Sequence, residues 1–400
     1  MVIPIVLMSS CQWLDEPEAV PARRVVLMYA AAYNNLSPDI EQDVKELCEG
    51  SVPDSCNPDI LLVYDHHTSS YGDYSTPVSP VLYRAYKDKE GTVYRDTVKV
   101  YPDTDVSSSA EAVNKALTDA QRLFPASSYG LVFSSHGTGW LPENYTEEDN
   151  GGSDIEFLSA RAARRASIHL TKSLGHENKH EIDIRQLAEA IPMKLDFFLI
   201  DACLMGCVEV AYELKDKCDL IVFSPTEILT NGFIYTDLAS RLLDISVPDI
   251  KQVCEDYFNF YNDRTDYYRA ATITMVDCSK LDALAAVCSE IISAHRSGIA
   301  AVNRSSVQAY HRDDYGMYPL RKFYDLKDLL EKGGATEQEL ARLDSALGEC
   351  VVLSRATPWF LSRKLDRVCG LSMYFPYPDK EELNDYYKTL SWNKATGLIQ

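Results

Sequence analysis

Four hundred residues with 46% hydrophobic, 10% aromatic and 25% charged side chains describe a folded chain with about two or three domains' worth of structure. That composition excludes disordered, collagen-like and coiled-coil chains, and no apolar run approaches the ~20 residues of a membrane span. The net charge of −21 repels phosphate backbones and anionic membranes, so nucleic acid is not an expected partner and basic partners are the natural counterpart.

The chain opens with MVIPIVLMSSC, a short apolar segment followed by two small residues and Cys11. This resembles the lipobox of bacterial lipoprotein signal peptides, which implies cleavage before Cys11, lipidation of that cysteine, and export to the cell envelope or surface. Residues 12–22 are acidic and punctuated by proline, as expected of a tether. From Arg24 onward short apolar runs alternate with segments of helical period, the pattern of parallel strands covered by helices. The runs at 25–32 and 60–65 read as buried strands on either side of a helix over 37–49. Residues 81–101 alternate at period two around a Lys-Glu-Gly turn and read as an exposed hairpin attached to the sheet. A helix is expected over about 108–123. GLVFSS (130–135) and LDFFLI (195–200) are nearly continuous apolar runs, as central parallel strands are. A helix over 205–217 and a strand over 218–224, ending before Glu227, follow.

From about Val247 the pattern is mainly helical, with helices in DIKQVCEDYFNFYND, LDALAAVCSEIISAH and EQELARLDSALGECVV and strands at 270–277 and 370–376. The organisation is therefore a signal and tether over 1–22, an α/β domain over 23–245, and a smaller α+β domain over 246–400 packed on, or extending, the first sheet. The cysteines are odd in number and include no Cys-x-x-Cys pair, which argues against a zinc ribbon or redox dithiol. Cys48 and Cys56 are spaced to close a short loop, and most others sit in apolar stretches as small core residues.

The two central strands each run into a chemically loaded turn. GLVFSS leads into His136-Gly137-Thr138-Gly139-Trp140 and LDFFLI into Asp201-Ala202-Cys203, so both turns belong at the carboxyl edge of one sheet, where open α/β sheets place ligands. A thiol nucleophile needs a proton acceptor, a lowered pKa and donors for a tetrahedral oxyanion. Cys203 lies between a buried strand and a helix start, where the macrodipole favours thiolate. His136, 67 residues upstream at another strand end, is the acid/base candidate. The backbone amides of Gly137 and Cys203 are the candidate oxyanion donors. The other seven histidines lie in polar segments or on helix faces and read as structural. Between the two turns, residues 141–181 are polar, with an acidic cluster (Glu147, Glu148, Asp149) and a basic one (Arg161, Arg164, Arg165). That is too long for a routine connection. No metal-ligand spacing is visible, so neither a metal nor another cofactor is expected.

Paired as HGxGW (His136 to Trp140) and DACLMGxxEV (Asp201 to Val210), with Asn34-Asn35-Leu36 after the first strand, these turns resemble the clostripain-like family of bacterial cysteine peptidases. The family commonly has an aspartate before the two asparagines; Tyr33 stands there in this chain. The resemblance covers roughly residues 25–245. It implies a caspase-like α/β/α sandwich with a mostly parallel central sheet, and a thiol endopeptidase in which Cys203 attacks the peptide carbonyl and His136 protonates the departing amine. It further implies cleavage after arginine or lysine, with Asp201 as the carboxylate of the substrate pocket and Glu227 as a second choice. Precursors of the family often cut themselves in the loop between the two motifs, here after Arg161, Arg164 or Arg165, and some relatives depend on calcium. The competing readings are an inactive caspase-like surface binding module, disfavoured by the intact His136 and Cys203, and a transpeptidase that passes the acyl group to an amine. A serine hydrolase would need a Gly-x-Ser-x-Gly elbow, which is absent.

Overall fold

Continuous aliphatic runs form the centre of the fold in the computed structural model, which describes residues 21–69, 76–143, 145, 182–311 and 322–400. In chain order the strands are β1 (Arg24–Ala32), β2 (Asp59–His67), β3 (Val81–Lys87), β4 (Val93–Val100), β5 (Tyr129–Ser134), β6 (Leu195–Asp201), β7 (Cys218–Phe223) and β8 (Thr272–Asp277). The two-residue β9 (Tyr324–Asp325) stands apart, pairing with Ser372–Met373, and β10 (Val351–Ala356) returns to the main sheet. Across that sheet the order is β10-β8-β7-β6-β5-β1-β2-β3-β4. The five inner strands, from β7 to β2, are parallel; the two strands at either end are antiparallel.

All nine residues of β1 are buried, as required of a strand covered on both faces. The helix Ser37–Glu49 packs beside Tyr235–Leu242, and Ala110–Leu123 beside Ile184–Ala190. Ser109 caps the second of these layers, its hydroxyl accepting from the Ala112 amide at 3.2 Å. The amino edge of the sheet is clamped by charge. Arg23 grips Asp59 bidentately at 2.7 and 2.6 Å, and the buried Arg24 guanidinium donates to the carbonyls of Leu242 and Ile245, both at 3.1 Å.

Several elements differ from expectation. Val351 and Val352, read as the end of a helix, belong to β10: the helix stops at Cys350, and the β-branched pair begins an edge strand beside β8. The helix expected over 205–217 spans only Val208–Leu214. Cys48 and Cys56 form no disulfide. Cys48 faces the core with its sulfur 3.9 Å from the Tyr83 hydroxyl, whereas Cys56 is exposed. One hydrophobic cluster runs continuously from Val25 to Leu398, joining the two stretches that the composition separates. No helix among the described residues is long and apolar enough to cross a membrane. Cys11 and the arginines at 161, 164 and 165 lie outside the described residues.

Candidate active site

The chain reverses its direction across the sheet at β1: β2 lies on one side, and β5, β6 and β7 follow on the other. Such a switch point opens a crevice at the carboxyl ends of the strands. Ala30 of β1 is paired with Ser134 of β5, and Ser134 with Asp201 of β6. His136 lies two residues past Ser134 and Cys203 two past Asp201, so strand register sends the imidazole and the thiol to the same rim.

Backbone contact then locks the two turns together. A Cβ added to Gly137 would lie 2.5 Å from the Cys203 carbonyl oxygen and 3.0 Å from its nitrogen. Gly139 adopts φ +64°, and a Cβ there would meet the Leu204 oxygen at 2.8 Å and the Phe323 ring at 2.5 Å. Only glycine permits both approaches. They bring the Gly137 Cα directly against the Cys203 backbone. Trp140, fully buried, wedges between Tyr374 and Tyr387 with ring centroids 4.6 and 4.9 Å away, anchoring the histidine turn to the C-terminal segment.

Leu204, immediately after Cys203, takes φ +61°, a strained conformation for a branched side chain. It is held by its amide donating to the Thr226 carbonyl at 3.0 Å. The sulfur of Cys203 is wholly buried; it accepts from the Ile228 amide at 3.3 Å and faces the Ile228 carbonyl at 3.8 Å. The amide at the sulfur is therefore that of a neighbouring turn. The helix expected to act on it starts only at Val208, beyond the reach of a terminal dipole.

His136 is half-buried. Its Nε2 lies 2.8 Å from the Asn35 side-chain oxygen, and its Nδ1 is the buried ring nitrogen. A cavity of about 60 Å³ lies between this turn and the helix Ile184–Ala190, lined in part by Ser135, His136, Gly137, Thr138, Leu187 and Met205. Asp201 and Glu227 are both fully buried and do not line it. Asp201 accepts from the Tyr235 hydroxyl at 2.7 Å and the Ser134 hydroxyl at 3.3 Å, because as the last residue of β6 it faces the helical layer. Glu227 lies next to Ile228, at the turn that touches the thiol. Tyr33 stacks on His66 with ring centroids 4.7 Å apart and donates to the Thr76 carbonyl at 2.9 Å.

Sequence reasoning passed over Glu209. Fully buried, it accepts from the Tyr374 amide at 2.8 Å and the Tyr387 hydroxyl at 2.7 Å, and burial pushes its carboxyl up to about 7 despite both bonds. A glutamate inside an apolar helical stretch was the available signal. Among the described residues no three His, Cys, Asp or Glu side chains are arranged to hold a metal ion.

The sequence model of the Clostripain family (peptidase C11) matches residues 28–155 and 162–355, which contain both motifs. This chain belongs to the clostripain family. It is 23% identical over 245 residues to clostripain of Hathewaya histolytica, a match covering 54% of this chain and 41% of that protein; the chain thus spans about two fifths of the relative's length. Among solved structures, an inactive zymogen C11 protease from Parabacteroides distasonis superposes with TM-score 0.75 at 29% identity, covering 94% of this chain and 99% of that one. A secreted C11 cysteine protease from Bacteroides thetaiotaomicron gives TM-score 0.72 at 26% identity over 94% and 100%. A secreted C11 cysteine protease from Bacteroides thetaiotaomicron in complex with an irreversible peptide inhibitor gives TM-score 0.73 at 25% identity over 94% and 98%. The family model thus reaches residue 355, past the residues 25–245 that carry the motif resemblance.

Proposed function

We propose that this clostripain-family chain is a cysteine endopeptidase that cleaves after arginine or lysine and is made as a self-processing precursor. The observation that carries the reading is the β5–β6 register, which brings the His136 and Cys203 turns to one rim with Gly137 against the Cys203 backbone. The thiol gives its proton to His136 and the sulfur attacks the peptide carbonyl carbon. The oxyanion is met by the Gly137 and Cys203 amides, as amide pairs do in acyl transfer. His136 returns the proton to the leaving amine as the C–N bond breaks, and water hydrolyses the thioester. This chemistry uses no cofactor.

Asp201 is the carboxylate for a basic side chain, with Glu227 second, and Arg161, Arg164 or Arg165 is the point of self-cleavage. The buried sulfur and the enclosed carboxylates support a precursor state in which this site has not yet opened. On the lipobox-like segment, the mature protein is exported and anchored through Cys11.

The test is hydrolysis of short reporter peptides ending in arginine, lysine, alanine or aspartate, after incubation of the pure chain and with its new N-termini mapped. The basic peptides should be cut, and Cys203→Ala or thiol alkylation should abolish both peptide cleavage and the internal cut. Hydrolysis that survives alkylation would overturn the assignment of the nucleophile; a preference for alanine or aspartate would overturn that of the pocket.

A further inference from the structure

The Asn34-Asn35-Leu36 motif has a division of labour visible in its hydrogen bonds. Asn34, 2% exposed, makes the turn out of β1: its amide NH2 donates to the Ala31 carbonyl at 3.1 Å, and its side-chain oxygen accepts from the Leu36 amide at 2.9 Å. The Ser135 hydroxyl donates to that same Ala31 carbonyl at 3.1 Å, so the residue before His136 is tied to the turn as well. Asn35 is therefore delivered to the rim with its side chain uninvolved in the turn, and its oxygen meets His136 Nε2 at 2.8 Å. An amide oxygen only accepts, so the proton sits on Nε2 and the lone pair on the buried Nδ1.

We propose that Asn35 is a positioning residue: by holding the Nε2 proton it selects the tautomer and ring orientation in which Nδ1 exchanges a proton with the Cys203 thiol and then the leaving amine. The inference rests on the peptidase reading only for its catalytic consequence. A neutral amide in this role keeps the ring oriented while leaving the imidazolium less stabilised than a carboxylate would.

Two measurements on the full chain test it. In histidine-15N spectra, with the His136 signal assigned by its loss in His136→Gln, the unprotonated ring should show Nε2–H in the parent. Asn35→Ala should give a mixture of tautomers without a change in melting temperature, because Asn35 is exposed; Asn34→Ala should instead lower the melting temperature. In kinetics, Asn35→Ala should reduce kcat roughly tenfold or more with KM within about twofold. Asn35→Asp should restore most of kcat and move the acidic limb of the pH profile up by about half a unit or more, as a carboxylate stabilises the imidazolium and His136 must be unprotonated to accept the thiol's proton. An unchanged tautomer and unchanged kcat in Asn35→Ala would overturn the proposal. If the parent chain cleaves no peptide, the peptidase reading fails, and the spectra still decide whether Asn35 sets the tautomer.

Discussion

Glu209 is the residue whose environment makes the most specific demand on pH. Its carboxyl titrates near 7 when folded, against 4.5 as the ordinary value, because burial outweighs its two hydrogen bonds. Below about pH 4.5 both folded and unfolded chains hold the proton, so its contribution is constant. Between 4.5 and 7 the unfolded chain releases it while the folded chain keeps it, so stability falls as pH rises and levels off above 7. The loss is roughly 3 kcal/mol. Glu209→Gln should flatten this dependence, and urea midpoints at pH 5 and pH 8 for both proteins measure it; equal slopes in the two would reject the assignment. His136 and Cys203 were identifiable from sequence because each ends an apolar run. Nothing in that pattern says that the Cys203 sulfur would meet Ile228, since the contact joins residues on different strand ends.

Among elements, the two motif turns act as one unit because glycines let their backbones touch. Gly139→Ala combines a positive φ, which costs a Cβ-bearing residue about 1–2 kcal/mol, with the approach to the Leu204 oxygen and Phe323. It should lower the denaturation midpoint and remove peptide cleavage together, whereas the same change at exposed Gly348, where a Cβ meets nothing within 4 Å, should do neither. Activity retained in Gly139→Ala would show that the turns need not interlock. The parallel strands could be read from their apolar runs, and the helix Ser37–Glu49 from its period, with boundaries close to those found. β10 could not, because Val351 and Val352 continue an apolar pattern from the preceding helix and their strand state depends on pairing with β8.

At the scale of the molecule, the C-terminal residues pack directly against the two motif turns. Ser372 donates its amide to the Gly206 carbonyl at 3.0 Å, the Tyr374 amide reaches Glu209, and Phe323 packs on Gly139. A cut after any of the arginines at 161, 164 or 165 would fall between β5 and β6, which are hydrogen-bonded neighbours inside one continuous core. The two fragments should therefore co-elute on gel filtration after processing and separate only in denaturant; separation under native conditions would contradict the shared-sheet argument.

Local chemistry in the chain was enough to reveal the alternation of strands and helices, the two loaded turns and the family they resemble, since apolar period and short motifs are properties of neighbours in sequence. Contacts between distant segments decided the rest: the pairing of β10 with β8 at one edge of the sheet, the enclosure of Asp201 and the thiol, the buried glutamate under Tyr374 and Tyr387, and the asparagine at His136. Each of these depends on which surfaces the sheet brings together, and that is set by the packing of the whole core.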